Sequence, residues 1–381
     1  MLPHRLYNKI AWIAVLLALI VIVFGAFVRL SNAGLSCPDW PTCYGRATWP
    51  VHEVDVAHAN ANYERPVETH KTWREQFHRH LAATLGLLVL ALAVLAARRV
   101  PRGLAVVLGA SALVAIAIPV YMRGEHVWAS VLAAIGEGLL VAYVLRPGSH
   151  ASPRGDFTRA SSLLLAVIIF QALLGMWTVT WLLKPVVVMA HLLGGMTTFS
   201  LLVFVACRAS PNAAIALAPE VRIKPMLTIG LVLVAIQIAL GGWVSANYAA
   251  LACGTNFPHC LGSWTPPTDF REAFVLWRGI GVDYEGGVLD APARVAIHLT
   301  HRVFALVVAG HLIALGFRLR RIPELAGWGK AIWILLGVQV LLGILNVIEG
   351  LPLKVAVAHN AGAAILLFAL VSLLARIRQR A

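Results

Sequence analysis

The stretch Gly25-Ala-Phe-Val-Arg-Leu-Ser-Asn-Ala-Gly-Leu-Ser-Cys37-Pro-Asp-Trp-Pro-Thr-Cys43-Tyr-Gly45 leaves one long apolar segment, and Gly242-Trp-Val-Ser-Ala-Asn-Tyr-Ala-Ala-Leu-Ala-Cys253-Gly-Thr-Asn-Phe-Pro-His-Cys260-Leu-Gly262 leaves another. The second half of the chain therefore repeats the first. Working outward, Phe77-His78-Arg79 answers to Thr300-His301-Arg302, Gln171-Ala-Leu-Leu-Gly175 to Gln339-Val-Leu-Leu-Gly343, and the run from Leu183 to His191 to that from Leu353 to His359. One histidine in an apolar segment is ambiguous. Four in duplicate order imply that each half builds the same two-histidine site.

With 13% charged residues in 381 and a mean hydropathy of +0.80, the chain reads as a polytopic membrane protein. A spanning helix needs about 20 apolar residues. Such segments fall near 10–30, 78–97, 104–121, 127–145, 160–181, 185–206, 226–247, 295–317, 328–348 and 354–376. The pair at 104–121 and 127–145 has no counterpart in the second half, and without it each half has four. The expected fold is thus all-α: two pseudo-symmetric four-helix bundles, plus an extra helical hairpin in the N-terminal half. The first bundle is assigned to 1–103 and 155–210, the inserted hairpin to 104–154, and the second bundle to 220–381.

The formal net charge of +14 does not signal nucleic-acid binding, because the basic residues gather at alternating helix ends rather than on one soluble face. Arg98, Arg99 and Arg102, then Arg146, Arg154 and Arg159, then Arg208, Arg222 and Lys224, then Arg318, Arg320, Arg321 and Lys330, and finally Arg376, Arg378 and Arg380 follow every second span. By the positive-inside rule both termini face the cytoplasm, and the two long cysteine-bearing loops, about 31–74 and 248–294, face outward. The first apolar run is too long for a signal peptide and lacks a small-residue cleavage site, so it is expected to be a retained helix. Cys37 with Cys43, and Cys253 with Cys260, would sit in an oxidising compartment where a short-loop disulfide is expected in each, as a staple or as a redox-active pair.

Ionisable residues inside spans usually mark function, and neutral imidazole ligates iron well. At 1.5 Å rise per residue, His78, His191, His301 and His359 fall in one layer near one leaflet, so that a His from each of two helices grips one planar ligand. Bis-imidazole haem ligation within a four-helix bundle is the natural reading. Glu75 lies three residues before His78 on the same helix face, where the second half has His298 before His301. A carboxylate beside one haem only suggests one substrate site and one electron-transfer site. Glu75 has a simpler alternative, an ion pair with Arg79 or Arg74. Arg79 and Arg302 are read either as propionate partners or as interfacial cations. His126 and His311 lack repeat partners and are not expected to be ligands.

The loop Gly34-Leu-Ser-Cys37-Pro-Asp-Trp-Pro-Thr-Cys43, the Glu75-x-x-His78-Arg79 opening, the duplicated histidine pairs and Gln171-Ala-Leu-Leu-Gly-Met-Trp-Thr-Val-Thr followed by Val188-Met-Ala-His191-Leu resemble the haem A synthase family, of the proteobacterial and mitochondrial type. The likeness covers about 10–97 and 160–376. It implies an oxidoreductase that converts haem O to haem A for terminal oxidases by oxidising a ring methyl to a formyl group. It implies a bound haem b between His301 and His359 with Arg302 nearby, and the haem O substrate between His78 and His191 with Arg79 nearby. It further implies a role in activity for Glu75 and a disulfide between Cys37 and Cys43. The sequence departs from the usual eight-span pattern in its extra hairpin.

Fully ligated iron argues for electron removal from the methyl carbon and addition of water, with Glu75 handling a proton; a His ligand that leaves the iron would instead admit oxygen chemistry. Expected partners are membrane lipid, the enzyme that makes haem O and an unidentified electron acceptor, in the bacterial inner membrane. Small-residue helix faces allow homo-oligomers. The main competing expectation is a di-haem b membrane cytochrome that only transfers electrons with the same four histidines. A repeat-built transporter is disfavoured by the intact spans.

Overall fold

The structure, a computed structural model, describes residues 2–98, 100, 102–146, 157–210 and 214–379. Arg99, Arg154 and Arg380, and the proposed boundary at 154–155, lie outside the described residues. Among those described, ten helices are long and apolar enough to cross a membrane, so the chain is an all-α, multi-pass membrane protein. These are α1 (Leu2–Leu30), α3 (Thr69–Ala97), α4 (Gly103–Met122), α5 (His126–Leu145), α6 (Thr158–Thr180), α7 (Pro185–Ala209), α8 (Lys224–Ala246), α10 (Ala291–Arg320), α11 (Ala326–Ile348) and α12 (Leu353–Arg376). Short helices α2 (Glu53–Asn62) and α9 (Phe270–Ala273) lie in the two cysteine loops. A two-stranded parallel sheet of β1 (Ile215–Leu217) and β2 (Ile377–Gln379) is an addition that the apolar pattern could not announce.

The histidine-bearing helices α3 and α10 begin earlier than hydropathy suggests, at Thr69 and Ala291 rather than at 78 and 295. Their extra turns are polar, and helix propensity alone does not decide them. In α3 those turns are held by packing: Thr72, Glu75 and Gln76 are buried, and Gln76 donates to the Ala47 carbonyl at 2.8 Å.

The chain divides into two compact units. The first comprises 1–21, 36–176 and 194–213. Within it, Tyr7 and Ser161 join α1 to α6 through their hydroxyls at 2.7 Å, and Thr158 donates to the Ala96 carbonyl of α3 at 3.1 Å. The inserted hairpin packs α4 on α5 and α4 on α3. At its tip, Tyr121 meets Trp40 of the first cysteine loop edge-on, with centroids 6.0 Å apart.

The second unit comprises 22–35, 177–193 and 214–381. Here α10 packs on α8 and α11, and α12 packs on α11 and α8, which closes a four-helix ring. Trp243, Val244, Ala293, Ala296 and Ile297 form a core where α8 meets α10, and Trp243 donates its indole N–H to the Ala273 carbonyl. Apolar surface buried in a bilayer gains little over lipid, so close packing and internal hydrogen bonds carry the assembly.

Candidate functional site

Each cysteine loop is closed in the same way. Cys37–Cys43 and Cys253–Cys260 are disulfide-bonded. A cis proline, Pro41 or Pro258, stands two residues before the second cysteine of each pair. Tyr44-Gly45 and Leu261-Gly262 then turn through consecutive left-handed conformations, so that Cys43 bridges Arg46 and Cys260 bridges Ser263. Left-handed backbone favours glycine at the second position of each turn.

The arginine after each His holds its own loop at an equivalent point. Arg79 donates to the carbonyl of Thr42 at 2.6 Å, and Arg302 to that of His259 at 3.2 Å, in each case the residue before the second cysteine. Both also reach back four residues. Arg79 bonds the Glu75 carboxylate at 2.5 Å, and the Nε of Arg302 donates to Nε2 of His298 at 3.0 Å. Beyond this the halves diverge. Arg79 also donates to the carbonyls of Asp39 and Cys37. Arg302 keeps one buried nitrogen, Nη2, without a hydrogen bond. The arginine after the repeat histidine is thus committed to the loop in the first unit and keeps one open nitrogen in the second.

Glu75 is 4% exposed, and its oxygens accept from the Ser36 hydroxyl at 3.0 Å, the Cys37 N–H at 2.8 Å and Arg79. Ionised carboxylate oxygens offer about four acceptor sites, so one remains for a water or substrate proton. Asp39, which sequence reading passed over, accepts from the N–H groups of Tyr44 and Gly45 and from Thr42, and so organises the first loop from within. Burial pushes the Tyr44 phenol up to about 12, so it stays neutral while donating to the Arg65 and Pro66 carbonyls.

All four repeat-matched histidines are half-buried. His191 and His359 are each the seventh residue of their helices, counted from Pro185 and Leu353. His301 and His359 share the second unit. Each ring there rests on a glycine of the preceding spanning helix. A Cβ on Gly241 would lie 3.1 Å from Cε1 of His301, and one on Gly343 would lie 3.1 Å from Cε1 of His359.

One turn before each glycine stands a glutamine. Gln237 donates to the His301 carbonyl at 3.1 Å and lies 3.1 Å from its Nδ1, while Gln339 donates to the His359 carbonyl at 3.0 Å and lies 3.4 Å from its Nε2. The side-chain amide of each glutamine thus lies against its histidine ring and limits how that ring can turn. Nδ1 of His359 is buried without a hydrogen-bond partner. Glycine floor, glutamine anchor and half-buried rings fit a planar haem, and among the described residues no cluster of three or more His, Cys, Asp or Glu suits a bare metal ion.

In the first unit, Gln171 packs against Gly194, three residues after His191, much as Gln339 packs against Gly362, three after His359; a Cβ at either glycine would overlap the amide oxygen. His78 belongs to the first unit and His191 to the second. His80 bonds the Ala47 carbonyl instead, and His311 bonds that of Met226, so both have packing roles.

Gln237 escaped the repeat comparison because its counterpart on α1, sixteen residues before Cys37 as Gln237 is before Cys253, is Val21. The signal that could have found it is internal to the second half, where Gln-x-x-x-Gly occurs at 237–241 as well as at 339–343.

The chain matches the COX15-CtaA family model, described as a cytochrome oxidase assembly protein, over residues 8–371. It is 36% identical over 363 residues to the heme A synthase of Shewanella oneidensis, covering 95% of this chain and 93% of that protein. It is 26% identical to the heme A synthase of Sphingopyxis alaskensis over 97% of this chain and 91% of that one, and 26% identical to the heme A synthase of Paracoccus denitrificans over 97% and 87%. The chain belongs to the COX15-CtaA family of cytochrome oxidase assembly proteins.

Proposed function

We propose that this protein is a haem A synthase, an oxidoreductase of the bacterial inner membrane that converts haem O to haem A. The observation that carries the reading is the near full-length similarity to proteins named heme A synthase, in a chain whose four repeat-matched histidines all stand in apolar helices. His301 and His359 hold a resident haem b, with Gln237 and Gln339 fixing the rings and Arg302 offering Nη2 to a propionate. When bound, that group supplies one-electron redox chemistry.

His78 and His191 are the ligands assigned to the substrate haem O. Oxidation of a methyl to a formyl group with water as oxygen source releases protons and electrons; Glu75, one helical turn from His78, accepts a proton through its remaining acceptor site, and the electrons pass to the external electron acceptor. Arg79 keeps that carboxylate in place. The termini are cytoplasmic and the two disulfide loops lie outside, in line with the alternation of basic residues. Partners are the enzyme that makes haem O and an electron acceptor.

The test is pigment extraction after co-expression with a source of haem O. Wild type yields haem A, and Glu75→Gln keeps its haem content while haem A yield falls about a hundredfold, within the range of general-base contributions. Haem content with no haem A from wild type would instead mark an electron-transfer cytochrome.

A further inference from the structure

The turn between α6 and α7 hides a cation that the proposed chemistry does not use. Leu182 and Leu183 adopt left-handed backbone, with φ of 48° and 58°, and this folds Lys184 inward. Its side chain is 0% exposed, and its Nζ has no hydrogen-bond partner. Leu35, Val179, Leu183 and Tyr284 pack together beside the turn, and the Tyr284 N–H bonds the Leu182 carbonyl at 3.1 Å. The ammonium instead lies 3.4 Å from the centre of the Trp277 ring and 5.4 Å from that of Trp181. Trp277 is itself 63% exposed.

The magnitudes decide against a purely structural cation. Taking an ammonium out of water costs several kcal/mol, whereas a desolvated cation–π contact returns about 2 kcal/mol. The group remains under-compensated unless an anion reaches it. Burial holds Lys184 below the usual lysine range, and an arriving anion would restore its charge. The start of α7 adds a second positive feature, since a helix N-terminus favours negative charge. Lys184 stands immediately before α7 and seven residues before His191, a rise of about 10 Å along the helix axis. That separation matches the span from a haem iron to its own propionates. The repeat counterpart Lys354 is exposed and stands five residues before His359, on a different face.

We propose that Lys184, capped by Trp277, binds a propionate carboxylate of the haem ligated by His191, which makes it a substrate-recognition residue that the second half lacks. This rests on His191 being a haem ligand. The holoprotein, with its resident haem in place, is titrated in detergent with iron protoporphyrin IX and with its dimethyl ester, followed by Soret absorbance.

Wild type is expected to bind the free acid about tenfold more tightly than the ester, the scale of one charge-assisted hydrogen bond. Lys184→Met abolishes that preference by weakening only the acid, Lys184→Arg retains it, and Lys354→Met leaves it unchanged. Equal weakening of acid and ester by Lys184→Met, or an unchanged preference, overturns the propionate role while leaving His191 as a ligand. Wild type that takes up neither compound overturns both.

Discussion

The two cysteine loops close identically and are anchored differently. Each ends in a disulfide, a cis proline and a left-handed pair, and each is held by the arginine after the repeat histidine. The first is further tied down by Asp39 from within and by Glu75 from α3, whereas the second has His298 at the position of Glu75. The histidine cradles differ in the opposite sense: His301 has Gln237 and Gly241, and counted back from the first cysteine the matching positions on α1 are Val21 and Gly25, so the glycine recurs and the glutamine does not. The half with the tightly held loop lacks one glutamine anchor, and the half with both anchors has the looser loop. A permanently bound haem benefits from rigid rings, while a haem that enters and leaves requires a less committed grip and a positioned carboxylate.

That contrast can be broken at several points. The largest effect is expected from Arg79→Met, which leaves the buried Glu75 carboxylate without its cation at a cost of about 3–5 kcal/mol. The first loop should then become sensitive to proteolysis and the melting temperature should drop. Arg302→Met, whose partners are a neutral imidazole and a carbonyl, should cost about 1–3 kcal/mol, and equal losses would dissolve the distinction. Next, Gly241→Ala and Gly343→Ala press a methyl to within 3.1 Å of a histidine ring and should lower resident haem content severalfold in extracted pigment. Smallest, Gln237→Leu should cost about 1 kcal/mol of haem affinity by freeing the His301 ring, measured by haem transfer to an acceptor protein.

Much of this was legible in the sequence because duplication is a strong signal. The ten spans, the inserted hairpin and the paired cysteines follow from apolar length and repeated spacing. What stayed hidden has a physical cause in each case. The polar first turns of α3 are helical because Glu75, Gln76 and Thr72 are buried against the loop, and hydropathy cannot register that. Gln237 has no repeat partner. Lys184 and Lys354 look equivalent in the alignment, yet only the first is buried, because the left-handed Leu182-Leu183 turn and Trp277 enclose it. Arg79 could be read as a propionate partner until the loop carbonyls that occupy it were located.

The central claim is that the duplicated imidazoles divide into a resident and a substrate pair. It is tested most directly by the absorption spectrum and extractable haem of purified protein carrying His301→Ala with His359→Ala, beside protein carrying His78→Ala with His191→Ala. The account predicts that the first loses its low-spin haem b bands and the second retains them while failing to produce haem A. Full haem b absorbance in the first variant would contradict it.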